Sequence, residues 1–63
     1  MKAEDARKLH LGDEVIEKST GKSIRVIDVF EDKVGDNFDI PVVMIEGTRS
    51  NGHYDHWSSD QVK

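Results

Sequence analysis

His53-Tyr54-Asp55-His56 places two imidazoles, a phenol and a carboxylate in consecutive positions, the residue types from which metal sites and acid–base pairs are built. On a strand, neighbouring side chains alternate between faces, so His53 shares a side with Asp55 while His56 points away. That spacing keeps the two imidazoles from converging on one ion, and His10 is remote in sequence. The expectation is a run of exposed hairpin residues, with no metal and no cofactor.

Ser19-Thr20-Gly21-Lys22-Ser23 carries the Gly-Lys-Ser ending of a phosphate-binding loop. The full pattern, GxxxxGK[ST], would need its first glycine at position 16, which is Ile16. The segment that follows reads as a strand, so no helix N-terminus is offered to a phosphate. Nucleophilic catalysis has no support either: Cys is absent, and no Ser stands in a Gly-x-Ser-x-Gly elbow. A domain this small also has little interior in which to shelter an active site. The expectation is therefore a protein that is not an enzyme.

Residues 31–39 gather Glu31, Asp32, Asp36 and Asp39 in what reads as an acidic loop. Its spacing does not follow the twelve-residue calcium loop, which needs oxygen ligands at alternate positions, a central glycine and a terminal Glu. A solvated loop is expected, with Pro41 marking the entry to an edge strand. Binding, if it occurs through loops and strand edges, falls to Asp36 and Phe38 in this loop, to Tyr54, and to Arg49 near the hairpin tip. Lys22 and Arg25, with Lys18, form the one local basic group and belong to a different reading, in which they and an aromatic hold single-stranded nucleic acid. Phe30 and Trp57 are expected in the core, because so small a domain needs its largest apolar groups inside.

The elements that must position these residues begin at Leu11-Gly12-Asp13-Glu14-Val15-Ile16 and resume, after a polar turn, at Ile24-Arg25-Val26-Ile27-Asp28-Val29-Phe30. β-branched residues on both sides of a glycine-containing break predict two hairpin-joined strands, at about 13–18 and 23–31. Strict alternation in the second would put Asp28 among apolar neighbours. A bulge near Ile27 or Asp28 relieves this, turning Val26 and Val29 the same way and sending Asp28 to solvent.

A third strand is predicted over 40–48, where Val42-Val43-Met44-Ile45 is apolar on both faces. Asn51-Gly52 then predicts a hairpin into a fourth strand over 53–58. With a two-residue loop, Arg49 opposes Tyr54, Gly47 opposes His56 and Glu46 opposes Trp57, so that Trp57 shares a face with Met44 and Val42, and Tyr54 with Ile45 and Val43. A longer loop would change this register. Ahead of the strands, acidic Glu4 and Asp5 followed by basic Arg7 and Lys8 predict a short helix over 3–10, anchored by Leu9 and Leu11 and stopped by Gly12. A 3₁₀ turn is predicted at 58–61, with Val62 as a brief last strand.

The chain of 63 residues allows one domain, residues 1–63, and one core. Without Cys, neither a disulfide nor a thiolate zinc site can reinforce it. No apolar stretch approaches the roughly 20 residues of a membrane span, and Met1-Lys2-Ala3-Glu4-Asp5-Ala6 lacks the apolar core of a signal peptide, so the expected location is the cytoplasm with no membrane partner. A net charge of −4 argues against a dedicated duplex-DNA binder, which takes much of its affinity from neutralising phosphates. It also admits an acidic inhibitor that occupies the basic groove of a nucleic-acid enzyme.

Ala3-Glu4-Asp5-Ala6-Arg7-Lys8-Leu9, Leu11-Gly12-Asp13-Glu14-Val15, the valine-rich second strand and the ending Trp57-Ser58-Ser59-Asp60-Gln61-Val62 together resemble small phage- and prophage-encoded SH3-like barrel proteins, mostly of unassigned function. The Gly12-Asp13-x-Val15 opening is similar to KOW and Tudor-type modules. Lys2 departs from the pattern, standing where a Ser or Thr cap would be expected, and so does Glu46-Gly47, where the third strand would end on an aromatic. The resemblance implies a fold: mainly β, a small SH3-like antiparallel barrel of four to five strands with a short N-terminal helix. It implies no activity. The expected role is a noncatalytic accessory or protein-interaction module whose partner is another protein or, as a homodimer, a second copy, since the doubly apolar third strand has one face too many for a single core. An RNA- or single-strand-binding module of the KOW or Tudor kind is the alternative.

Overall fold

A computed structural model of the chain describes residues 1–34 and 40–63. Four strands form one antiparallel sheet in chain order: β1 (Glu14–Ile16), β2 (Ser23–Val34), β3 (Ile40–Arg49) and β4 (Tyr54–Ser58). A single-turn helix, α1 (Ala3–Ala6), precedes them, and a 3₁₀ turn, η1 (Ser59–Gln61), follows. The protein is thus mainly β with little helix. The strands do not close into the expected barrel, because β1 and β4 are the two edges of the sheet and do not pair with each other. The final residues instead return to β1: Lys63 N–H donates to the Ile16 carbonyl at 2.8 Å, Lys18 N–H to that of Gln61 at 3.0 Å, and Glu17 bridges Val62. The brief last strand expected at Val62 is this bridge.

The expected bulge is present. β2 and β3 are in register from Ile24↔Arg49 to Val26↔Gly47, then slip between Val26 and Asp28, so that Asp28 opposes Glu46 and Val29 opposes Ile45. The extra residue, Ile27, resets the alternation. Val26 and Val29 face the core and Asp28 faces solvent, as the cost of burying a lone carboxylate requires. The same reset carries Phe30 outward, where it is 39% exposed, against the expectation that it is core.

β2 and β3 continue well past β1 and β4, pairing Asp32 with Val42 and Lys33 with Pro41. Residues 31–34, expected in a loop, are therefore strand. Pro41 lies beyond the reach of β4, which pairs only with Met44 to Thr48, so its missing N–H costs no ladder bond on that side.

At the second hairpin the loop has three residues rather than two. Arg49 N–H donates to the His53 carbonyl at 2.9 Å, and Gly52 N–H to the Arg49 carbonyl at 2.8 Å, with Gly52 at φ +86°. A turn closed by a left-handed glycine is the usual three-residue solution. Its consequence is a register one residue away from the two-residue expectation: Thr48 opposes Tyr54, Gly47 opposes Asp55, Glu46 opposes His56 and Ile45 opposes Trp57. A slip of one residue exchanges the faces. Trp57 joins Ile45 and Val43 inside, and Tyr54 stands outside.

The core consists of Ala6, Val15, Ile24, Val26, Val43, Ile45, Trp57 and Val62, with Met1, Ala3, Leu9 and Val29 packed against it. Each fully buried aliphatic side chain contributes about 1.5 to 3 kcal/mol, so these residues dominate the folding free energy. α1 begins at Ala3 as expected but stops at Ala6 rather than 10: the Lys8 and Leu9 amides donate to the carbonyls three residues back, Asp5 and Ala6, at 3.1 Å each, so the chain leaves the α-helical ladder in tighter turns. α1 is held by Ala6, which is wholly buried, and by Leu9; Leu11, the other expected anchor, is 72% exposed. At the other end, Ser58 and Gln61 form a reciprocal capping box around η1.

Candidate functional site

Two places on the molecule concentrate polar or exposed groups: one on the inner face at the hairpin end of the sheet, the other along the edge of β2 that β1 leaves uncovered. On the inner face, alternation from Val15 points Glu17 inward. Glu17 is 4% exposed, and its carboxylate takes four donors. Arg49 Nη1 reaches Oε1 at 2.7 Å and Nη2 reaches Oε2 at 2.9 Å, a bidentate pair. Thr20 Oγ1 donates to Oε1 at 2.6 Å, and Trp57 Nε1 donates to Oε2 at 2.6 Å. Arg49 also donates from Nη2 to Asp55 Oδ2 at 3.2 Å, and its guanidinium lies 5.0 Å from the Trp57 ring centroid.

The electrostatics follow from these bonds. Arg49 above all, then Thr20 and Trp57, hold the Glu17 carboxyl down at about 2, more than offsetting the opposing effect of burial. Asp55 is held below its usual range first by the His56 backbone amide and then by Arg49, while Arg49 is raised by Glu17 and Asp55. A carboxylate that anionic, with its lone pairs occupied, is a poor proton acceptor. The cluster's work is structural: it fastens the β1–β2 turn to β3 and β4. A groove of about 500 Å³ runs beside it, lined by Lys18, Ser19, His56, Trp57 and Asp60 among others.

Of the residues expected to bind, Asp36 and Phe38 lie outside the described residues. Arg49 is in the cluster, 33% exposed at its side chain and engaged with two carboxylates. Lys22 and Arg25 are exposed and line adjoining depressions with Arg49 at the hairpin end of the sheet. Arg25 stands 3.9 Å from Glu14. Tyr54, 74% exposed, shares the outer face with Arg25 through Thr48, which opposes both. The structure therefore brings Lys22, Arg25, Arg49 and Tyr54 to one end. In the His53 to His56 run, Asp55 turns in to Arg49 while His56 opposes Glu46 on the outside. Among the described residues no three His, Cys, Asp or Glu side chains gather into a metal site.

The second place is on the other side of β2. Because β1 begins only at Glu14, opposite Arg25, the far half of β2 has no strand beside it there, and residues 7–11 run along it instead. Between them is a groove of about 530 Å³ lined by Leu9, His10, Leu11, Asp28, Val29, Phe30 and Val43, and closed at one end by the Arg7–Glu31 ion pair at 2.6 Å. On the outer face Phe30 sits opposite Met44.

Sequence reasoning missed Glu17, Leu11, Phe30, Asp28 and Glu46 as site residues. Glu17 had a signal, since Val15 and Glu17 fall on one strand face and an inward Glu must find donors. The exposure of Phe30 was implicit in the bulge. Comparison with protein-family models, with curated proteins and with solved structures finds no match for this chain.

Proposed function

We propose that this protein is a noncatalytic protein-interaction module, SH3-like in layout, that engages its partner along the open side of β2. The return of residues 61–63 to β1 after a 3₁₀ turn supports that layout. The observation that carries the function is the groove between residues 7–11 and β2, where Leu11 and Phe30 remain 72% and 39% exposed while Ile24, Val26, Val43 and Ile45 of β2 and β3 are buried. An apolar channel beside an open strand edge suits an extended polypeptide, which adds backbone bonds to the edge and side chains to the channel. The competing nucleic-acid reading is weakened by Arg49, whose guanidinium is already engaged by Glu17 and Asp55.

Two measurements test this. Labelled single-stranded RNA and DNA, titrated at low salt, should show no micromolar binding; tight binding that falls steeply with added salt overturns the reading. Immobilised wild-type chain and the Leu11→Asp variant, each exposed to nuclease-treated lysate, should differ, with a nuclease-resistant partner retained by the first and lost from the second.

A further inference from the structure

Beside Phe30 and Met44, in the next row of the outer face, Asp28 opposes Glu46. Among the described residues no ion pair involves Asp28 or Glu46, and Asp28 Oδ1 accepts the Val29 amide at 2.9 Å. Of the basic groups nearby, Arg25 in the adjacent outer row stands 3.9 Å from Glu14. Arg7 is paired with Glu31, and His56, opposite Glu46 across β4, forms no ion pair with it. Two like charges held face to face on a strand pair cost stability unless a counter-charge arrives.

We propose that this patch, Phe30 and Met44 beside the facing carboxylates of Asp28 and Glu46, docks a cationic segment of a partner protein. The occupant is an extended stretch bearing Lys or Arg, whose methylene stems lie on the ring and thioether while the head groups reach the two carboxylates. The inference rests on the interaction-module reading and names the chemistry of its partner. Charge complementarity selects this occupant. A second copy of a chain of net charge −4 would bring the same carboxylates against each other, and nucleic acid would bring phosphates to them.

The test uses the full chain, ¹⁵N-labelled, titrated with two synthetic heptapeptides, one alternating Lys and Leu and the other alternating Glu and Leu. The basic peptide should shift amides at 28–31 and 44–46, and the acidic one should not. The double variant D28N/E46Q should weaken the basic peptide about fivefold, as two exposed ion pairs lost would. The control E4Q/D5N removes the same charge from α1 and should change affinity by less than about twofold. Equal weakening by both variants means attraction to net charge alone and overturns the proposal. Equal shifts by both peptides at this patch overturn the cationic partner but leave the interaction module standing. Shifts confined to other surfaces, or none, also overturn it, while the nuclease-resistant capture above decides the module separately.

Discussion

Carboxylates on the two faces of this sheet have opposite fates. Glu17, inward, is ringed by Arg49, Thr20 and Trp57 and spends its charge on joining the β1–β2 turn to β3 and β4. Asp28 and Glu46, outward, face each other without a cation among the described residues. One residue type therefore serves folding on one side and remains available to a ligand on the other. The difference is set by burial: a buried anion must be saturated with donors, whereas a solvated one need not be.

The inner face should break first and hardest when its packing is cut. Ile45 is fully buried against Trp57 and Val29, and Ile45→Ala should cost about 2 to 5 kcal/mol. A chain of 63 residues is expected to have only about 3 to 9 kcal/mol in total, so urea denaturation of this variant should show a large loss of midpoint, approaching unfolding in water. Gly47→Ala is the next largest effect. A Cβ there would lie 2.6 Å from Ile24 Cγ2 and 2.7 Å from the Arg25 carbonyl oxygen, and the latter is backbone that cannot turn aside. The expected cost is about 1 to 3 kcal/mol with an unchanged urea m-value.

The same contrast explains what could be read from the sequence. The strand order, the turn at Gly21 and the bulge follow from local chemistry: β-branched runs, glycines, and a lone Asp in an apolar alternation. What could not be read is whatever depends on counting across a loop. Asn51-Gly52 signals a hairpin, but whether Ser50 joins the loop depends on the left-handed Gly52 and on Trp57 finding Glu17, a contact 40 positions away in sequence. One residue of loop then decides whether Trp57 or Tyr54 faces the core. The bulge was legible, yet its effect on Phe30 requires carrying the parity change two residues further. Among the site residues, Tyr54 was legible as an exposed group, and Arg49 was named without its partners. Leu11 was misread as an anchor beyond a helix running to 10, whereas α1 stops at Ala6, where tighter turns take over.

Acid should test the inner cluster through Glu17. Its carboxyl sits at about 2 in the folded chain against 4.5 unperturbed, so the folded state binds its proton less readily than the unfolded state does. Its contribution is complete above about 4.5 and disappears as pH falls from there through 2. Glu17→Gln should lower the urea midpoint at pH 7, because every partner of Glu17 is a donor and the new amide group cannot accept from them all. It should also flatten the decline between pH 4.5 and 2, where the remaining slope comes from Asp55 and Asp60, both also held low. Parallel wild-type and variant profiles across that range would show that the cluster does not couple folding to protonation.

The smallest stability effect should come from the outer face, and its smallness is the point. Phe30 is 39% exposed and stands outside the buried core, so Phe30→Ser should cost about 1 kcal/mol or less. If Phe30 served the fold as Ile45 does, the loss would match the core truncation. A surface residue retained for a partner gives the opposite pattern: a midpoint in urea close to wild type, with the capture of a nuclease-resistant partner abolished. Measured on one preparation, the two readouts separate an aromatic that holds the sheet together from one that the sheet holds out.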